Sequence, residues 1–76
     1  MFIIYTKQDC PWCDKAKALL DNMLYEYVER HYGTDFTKED LITLTGKEKP
    51  TVPYIISDTG ARIGGYEELR KYLNID

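Results

Sequence analysis

The stretch Cys10-Pro11-Trp12-Cys13 determines how the chain is interpreted, because both cysteines of the protein lie in it. It stands between an apolar run, Phe2-Ile3-Ile4-Tyr5, and a helical pattern that extends to about Met23. A C-x-x-C that follows a strand and opens a helix is typical of thiol–disulfide redox sites. The unpaired N–H groups and the dipole at a helix N-terminus favour a thiolate over a thiol there. Pro11 suits the first helical position, since its φ angle is preset and it has no N–H to leave unpaired.

Length and composition indicate one small folded domain over residues 1–76, with 43% hydrophobic and 13% aromatic residues. The net charge of −3 does not favour nucleic acid or an anionic membrane surface as a partner. We find no signal-peptide pattern and no stretch of membrane-spanning length. Two cysteines suit a catalytic pair in a reducing compartment better than a secreted disulfide framework. The sequence therefore predicts a cytoplasmic protein, and we expect a monomer.

The pattern of apolar residues predicts the element order βαβαββα. A helix from Pro11 to about Met23 places Cys13 on its apolar face and leaves Cys10 at its open end. A capping box at Thr37-x-x-Asp40 predicts a second, short helix, with Gly46 as its stop. The remaining predicted elements are strands at residues 1–6, 24–30, 54–57 and 61–63, a loop at 31–34, a turn at 58–60 and a last helix from Tyr66 to about Leu73.

Other interpretations of the C-x-x-C compete with the redox one. The two cysteines are incidental buried residues in the simplest of them. A structural zinc site needs four ligands, and the chain offers only two cysteines and the distant His31. A zinc site shared between two chains stays open, whereas one within a single chain is disfavoured.

Three motifs, taken together, make the sequence similar to the glutaredoxins over nearly its whole length. They are Lys7-x-x-Cys10-Pro11-Trp12-Cys13, Thr51-Val52-Pro53 and Gly64-Gly65-Tyr66-Glu67-Glu68-Leu69. The resemblance implies an α/β, thioredoxin-like fold with a four-stranded mixed sheet and three helices. It also implies glutathione as a co-substrate, with no bound cofactor and no metal. Thioredoxins proper usually carry Gly-Pro between the cysteines and are longer, which makes them the poorer match.

The resemblance assigns roles at the cysteines. Cys10 is the nucleophile, whose thiolate attacks a disulfide sulfur, and Cys13 is the resolving thiol. Lys7 either favours the thiolate and pairs with a glutathione carboxylate, or is a solvated turn residue. Trp12 either forms an exposed aromatic wall for the substrate or packs partly into the core. His31 is not expected to be catalytic.

The other two motifs supply the remaining expected glutathione contacts. The family pattern implies a cis bond before Pro53, which turns the backbone of Val52 towards Cys10 to pair with an extended peptide. Thr51 contributes through its side chain, or is simply a β-former. Residues Gly65, Tyr66 and Glu67 either bind the γ-glutamyl end of glutathione or form an ordinary helix start.

The predicted function is glutathione-dependent reduction of protein disulfides and glutathione mixed disulfides, with ribonucleotide reductase as a client suggested by the resemblance. Trp12, Pro50, Tyr66 and Glu67 depart from the usual family residues. These departures leave open a thioredoxin-like reductant that is recycled by a flavoprotein reductase. A third hypothesis is a [2Fe–2S] carrier that dimerises around glutathione, although a proline after the first cysteine is usually unfavourable for this.

Overall fold

The computed structural model describes residues 1–75, which form a four-stranded sheet and three helices. The order βαβαββα agrees with the prediction. The elements are β1 Phe2–Thr6, α1 Pro11–Asn22, β2 Tyr27–His31, α2 Lys38–Thr45, β3 Tyr54–Ile56, β4 Arg62–Gly64 and α3 Tyr66–Tyr72.

The sheet is mixed, and its strand order is β2-β1-β3-β4. β1 runs parallel to β2, with Phe2 opposite Tyr27, and the helical crossover between them is α1. β3 lies antiparallel to β1 and to β4. The end of β1 therefore delivers the chain to Cys10 at one end of the sheet, and the start of β3 is brought beside it.

One face of the sheet carries the hydrophobic core. Alternate residues of β1 are buried there, since Phe2 is 2% and Ile4 is 0% exposed. The helices α1 and α3 cover this face, and the buried cluster comprises Phe2, Ile4, Ala16, Leu20, Ile55 and Leu69. The ring of Phe2 also lies 6.4 Å from that of Tyr72, so the start of β1 and the end of α3 meet. The starts of α1 and α3 are also adjacent, since the ring of Trp12 lies 5.6 Å from that of Tyr66.

Aromatic side chains line the opposite face of the sheet. The ring of Tyr5 lies 5.1 Å from Phe36 and 6.4 Å from Tyr54. Phe36 and Leu41 are each 5% exposed, so α2 and the loop before it bury their apolar residues here. The predicted capping box of α2 is confirmed, because Asp40 N–H donates to Thr37 Oγ1 at 3.2 Å and Thr37 N–H donates to Asp40 Oδ2 at 2.9 Å. None of the helices formed by residues 1–75 is both long and apolar enough to cross a membrane.

The start of the second strand was predicted wrongly. Leu24 follows the end of α1 with a φ of +62°, and its N–H donates to Asp21 O at 3.0 Å. Tyr25 N–H likewise donates to Leu20 O at 2.9 Å. These bonds close the helix C-terminus, so β2 begins only at Tyr27 and extends to His31, which the sequence had placed in a loop. The other bounds agree with the prediction to within one residue at each end.

Candidate active site

The two cysteines lie at the N-terminus of α1. Cys10 is the N-cap, with an extended backbone at φ −120°, and Pro11 is the first helical residue as predicted. The structure joins Cys10 and Cys13 as a disulfide, with their Cα atoms 5.2 Å apart. Cys13 N–H donates to Cys10 Sγ at 3.2 Å. A backbone donor and the positive end of the helix dipole therefore both face this sulfur, which favours negative charge on it after reduction.

Both sulfur-bearing residues are largely covered in the disulfide form. Cys10 is 7% exposed and Cys13 is 1% exposed, so Cys10 is less open than its position at the helix end suggested. The order of the two exposures is nevertheless the predicted one. An incoming disulfide has access only from the Cys10 side, which suits Cys10 to attack and Cys13 to resolve.

A groove of about 370 Å³ opens on one side of the Thr51-Val52-Pro53 segment, and we call it the lysine groove. Its two charged residues are Lys7 and Lys38, both exposed. The sequence predicted Lys7 but missed Lys38, which is the first residue of α2. The capping box around Lys38 marks the start of α2 but no binding role, because the groove forms only when the loop before α2 packs against the end of β1. The remaining lining residues are Tyr32, Phe36, Leu41, Pro50, Thr51 and Val52.

A second groove, of about 240 Å³, lies on the other side of the same segment, and we call it the glutamate groove. Its charged residues are Glu67 and Glu68, and no basic residue lines it in the described part of the chain. Thr51 and Val52 border both grooves, and the Val52–Pro53 peptide bond is cis, as the family pattern implied. The remaining lining residues are Trp12, Pro53, Gly65 and Tyr66.

Aromatic rings form one wall of the glutamate groove. Trp12 is 51% exposed, as predicted, and its ring centroid lies 5.6 Å from that of Tyr66 at an angle of 48°. Lys15 Nζ lies 4.3 Å from the centroid of the Trp12 ring. The ring of Trp12 therefore already contacts one ammonium group, in the geometry of a cation–π interaction.

One backbone donor at the start of α3 is already hydrogen-bonded within the protein. Gly65 N–H donates to Glu68 Oε1 at 2.9 Å, so a side chain from the first turn of α3 caps the N-terminus of its own helix. The side chain of Glu67 is 60% exposed, and its Oε2 lies 3.9 Å from Arg70 Nη1. The glutamate groove thus presents a carboxylate and two aromatic rings, with the Gly65 donor already in use.

A cluster of polar side chains ties α1 to the sheet one turn beyond Cys13. Glu29 Oε2 accepts from Thr6 Oγ1 at 2.7 Å and from Lys17 Nζ at 3.0 Å, and Thr6 is only 1% exposed. Burial raises the pKa of Glu29, but the bonds from Thr6 and Lys17 and the charges of Lys17 and His31 outweigh it, so the pKa is lower than usual. The bond to Glu29 raises the pKa of Lys17 against the opposing effect of burial.

His31 belongs to this cluster and not to the grooves. Its Nε2 lies 3.2 Å from Glu29 Oε2, and its Nδ1 lies 3.7 Å from Asp35 Oδ2. His31 lines neither groove. Within residues 1–75, no three His, Cys, Asp or Glu side chains come together in a group that could hold a metal ion.

Comparison with known proteins identifies the family of this cysteine site. A family model described as Glutaredoxin matches residues 2–60. The chain belongs to the glutaredoxin family. Glutaredoxin 1 of Rickettsia prowazekii is 46% identical over 69 residues, which cover 88% of this chain and 70% of that protein.

Two solved structures agree with this assignment. Reduced Escherichia coli glutaredoxin is 33% identical, with a TM-score of 0.76 over 96% of this chain and 92% of its own. A buckwheat glutaredoxin–glutathione complex gives a TM-score of 0.80 at 22% identity, over 96% of this chain and 67% of its own, and this shows the shared fold. The predicted thioredoxin-like fold is confirmed, and the chain is a thiol–disulfide oxidoreductase with a cysteine pair at the family's active-site position.

Proposed function

We propose that this oxidoreductase uses glutathione to reduce protein disulfides and glutathione mixed disulfides through Cys10 and Cys13. The observation that carries the proposal is the lysine groove. It brings Lys7 and Lys38 together beside Val52, and it contains no acidic residue among the described residues that line it. Glutathione carries a carboxylate at its glycine end, and two ammonium groups form a suitable site for it. A reductant that is recycled by a flavoprotein reductase needs no site for a glutathione carboxylate.

The chemistry follows from the positions of the two cysteines. The Cys10 thiolate attacks one sulfur of the substrate disulfide, and the other substrate sulfur leaves as a thiolate. Cys13 then attacks Cys10 Sγ, which releases the second substrate thiol and leaves the Cys10–Cys13 disulfide. Two glutathione molecules reduce that disulfide in turn and leave as oxidised glutathione. The Cys13 N–H, 3.2 Å from Cys10 Sγ, stabilises the sulfur each time it carries negative charge.

In the proposed complex, glutathione extends across both grooves. Its cysteinyl unit pairs with the backbone of Val52 as an added strand, with Thr51 and Pro53 on either side. Its glycine carboxylate reaches Lys7 and Lys38 in the lysine groove. Its γ-glutamyl ammonium reaches Glu67 in the glutamate groove. The supporting features are the charges of the grooves and their common border at Val52.

The usual small residue at the start of the last helix is replaced here by Tyr66, and this changes the γ-glutamyl end of the site. Tyr66 packs against Trp12, and the Gly65 N–H is already bonded to Glu68. The γ-glutamyl carboxylate therefore has fewer backbone donors than the fold would otherwise offer. We expect Glu67 and the aromatic wall to provide most of the binding at this end, and the lysine groove to provide most of it overall.

The recycling reaction tests the proposal. The oxidised protein is mixed with glutathione, glutathione reductase and NADPH, and separately with a thioredoxin reductase and NADPH. We expect rapid reduction of the Cys10–Cys13 disulfide by glutathione. Reduction by the flavoprotein alone would show that the groove does not serve glutathione. Under the proposal, the clients are glutathionylated proteins and protein disulfides, ribonucleotide reductase among them, and the enzyme acts as a monomer in the cytoplasm.

A further inference from the structure

The two grooves carry opposite charge on either side of the substrate-pairing segment. The lysine groove presents Lys7 and Lys38, and the glutamate groove presents Glu67 and Glu68. Val52 borders both, so a chain that pairs with its backbone extends into one groove at each end. One substrate molecule therefore contacts the charged residues of both grooves.

The direction of the chain decides which end of a substrate meets which charge. The segment runs from the lysine groove at Pro50 to the glutamate groove at Pro53. An antiparallel partner strand runs the other way, with its N-terminal side at Glu67 and its C-terminal side at the lysines. Glutathione, in the orientation proposed above, has the same polarity, with its ammonium before and its carboxylate after the cysteine.

Strand geometry determines which residues of the substrate can contact the two grooves. Side chains alternate between the two faces of a strand, so residues two before and two after the substrate cysteine share its face. They lie about 7 Å from it along the strand, at about 3.3 Å per residue. We expect the two residues to face opposite sides of Val52, one towards each groove, and a long basic side chain at the first position to approach Trp12, which lines the glutamate groove.

We propose that this charge polarity selects protein clients: the enzyme prefers disulfides whose attacked cysteine has a basic residue two positions before it and an acidic residue two positions after it. This inference rests on the proposed reduction of protein disulfides, and it names their class. Glu67, Trp12 and Tyr66 hold the basic side chain, and Lys7 and Lys38 hold the acidic one. Lys15 Nζ already lies 4.3 Å from the centroid of the Trp12 ring, so an incoming basic side chain shares the ring with this ammonium group or displaces it.

Two peptides of identical composition test the preference without any difference in net charge. One is acetyl-Arg-Ala-Cys-Ala-Asp-amide, and the other is acetyl-Asp-Ala-Cys-Ala-Arg-amide, each as its mixed disulfide with thionitrobenzoate. The Cys10 thiolate attacks the peptide sulfur and thionitrobenzoate leaves, which gives a coloured product. Cys13 then attacks Cys10 Sγ and releases the peptide thiol, so the two electrons of the dithiol pass to the mixed disulfide. Reaction with dithiothreitol corrects for the intrinsic reactivity of each peptide.

The measured quantity is the ratio of second-order rate constants for the two peptides with pre-reduced enzyme. We expect the basic-first peptide to react about tenfold faster at low salt, since two exposed ion pairs change from attraction to repulsion when the order is reversed. The ratio should fall towards one in 1 M salt, where the Debye length is about 3 Å. A ratio of one at low salt, or a preference for the acidic-first peptide, would overturn the proposal.

A charge-swapped enzyme provides the second test. Lys38→Glu combined with Glu67→Lys keeps the net charge and leaves one positive and one negative residue in each groove, because Lys7 and Glu68 remain, so the rate ratio should fall towards one. The matched control is Glu26→Lys combined with Lys71→Glu, a swap of two exposed residues that line neither groove. The control should keep the wild-type ratio, and an equal effect of both swaps would refute the assignment to the grooves.

No glutathione is present in the peptide assay, so its outcome is independent of the recycling reaction. Slow recycling by glutathione together with a strong order preference would remove the proposed co-substrate and keep the client class. Rapid recycling together with equal peptide rates would keep the proposed co-substrate and remove the client class.

Discussion

Glu29→Gln removes the negative charge at the centre of the cluster that joins α1 to the sheet. The carboxylate accepts hydrogen bonds from the buried Thr6 hydroxyl at 2.7 Å and from Lys17 at 3.0 Å. The amide keeps one acceptor for Thr6 but leaves the Lys17 ammonium, whose side chain is only 26% exposed, without an opposite charge at this position. We therefore expect a loss of stability and not merely a change at the surface.

The magnitude follows from the kind of bond that is lost. Hydrogen bonds to charged groups contribute about 1.5–3 kcal/mol each, and partial exposure of this cluster reduces that figure. Since one neutral bond survives in the variant, we expect a loss of about 2 kcal/mol in the free energy of unfolding. For a domain of this size, such a loss lowers Tm by about 8–16 °C.

The pH dependence identifies the charge as the cause. The pKa of Glu29 is lower in the folded protein, so its contribution is present above the ordinary carboxyl pKa and is lost as the pH falls through the folded value. Denaturant unfolding from neutral pH down to about pH 3 should show the difference between wild type and Glu29→Gln shrinking below about pH 4. The control is Glu26→Gln, an exposed carboxylate beside the same strand, which should change stability by less than about 0.5 kcal/mol. A Glu29→Gln loss no greater than that of Glu26→Gln, or one that persists unchanged at acidic pH, would refute the reasoning.

Further variants probe the site and the helices around it. Cys10→Ser should abolish exchange, whereas Cys13→Ser should keep activity on glutathione mixed disulfides and lose most reduction of protein disulfides; equal losses in both assays would contradict the division of roles. Lys38→Gln should raise KM for a glutathione mixed disulfide about threefold with little change in kcat, since an exposed ion pair contributes up to about 1 kcal/mol; a fall in kcat alone would argue against binding at this lysine. Thr37→Ala should cost about 1 kcal/mol in unfolding experiments through loss of the α2 cap, and an unchanged denaturation midpoint would show that the cap is not used in solution.

Much of the fold was predictable because its signals are local. The apolar run of β1, the proline at the first position of α1 and the Thr37–Asp40 box each specify their element within a few residues. The start of β2 was not predictable in this way. Leu24 fits the predicted strand pattern but takes a left-handed conformation at the end of α1. There the helix-end hydrogen bonds prevail over the β-pattern.

The site was predictable only in part, for a related reason. The cysteine pair and the Val52–Pro53 segment are marked by motifs. Tyr32 and Phe36 have no motif, and the capping box around Lys38 predicts only where α2 begins. Their role depends on tertiary packing, in particular on the Phe36 ring lying 5.1 Å from Tyr5 of the central strand. Likewise, the sequence placed Tyr66 at the start of the last helix but did not foretell its contact with Trp12.

The meeting of Phe2 with Tyr72 has a practical consequence for anyone who attaches this protein to something else. Both rings lie where β1 begins and α3 ends, whereas the cysteines follow the other end of β1, about 13 Å away at 3.3 Å per residue. A tag, a linker to a solid support or a fused domain joined near Phe2 or after α3 would leave from that remote side. The cysteine pair and the two grooves would then face away from the attachment point, so immobilised protein should keep its exchange rate with small disulfides.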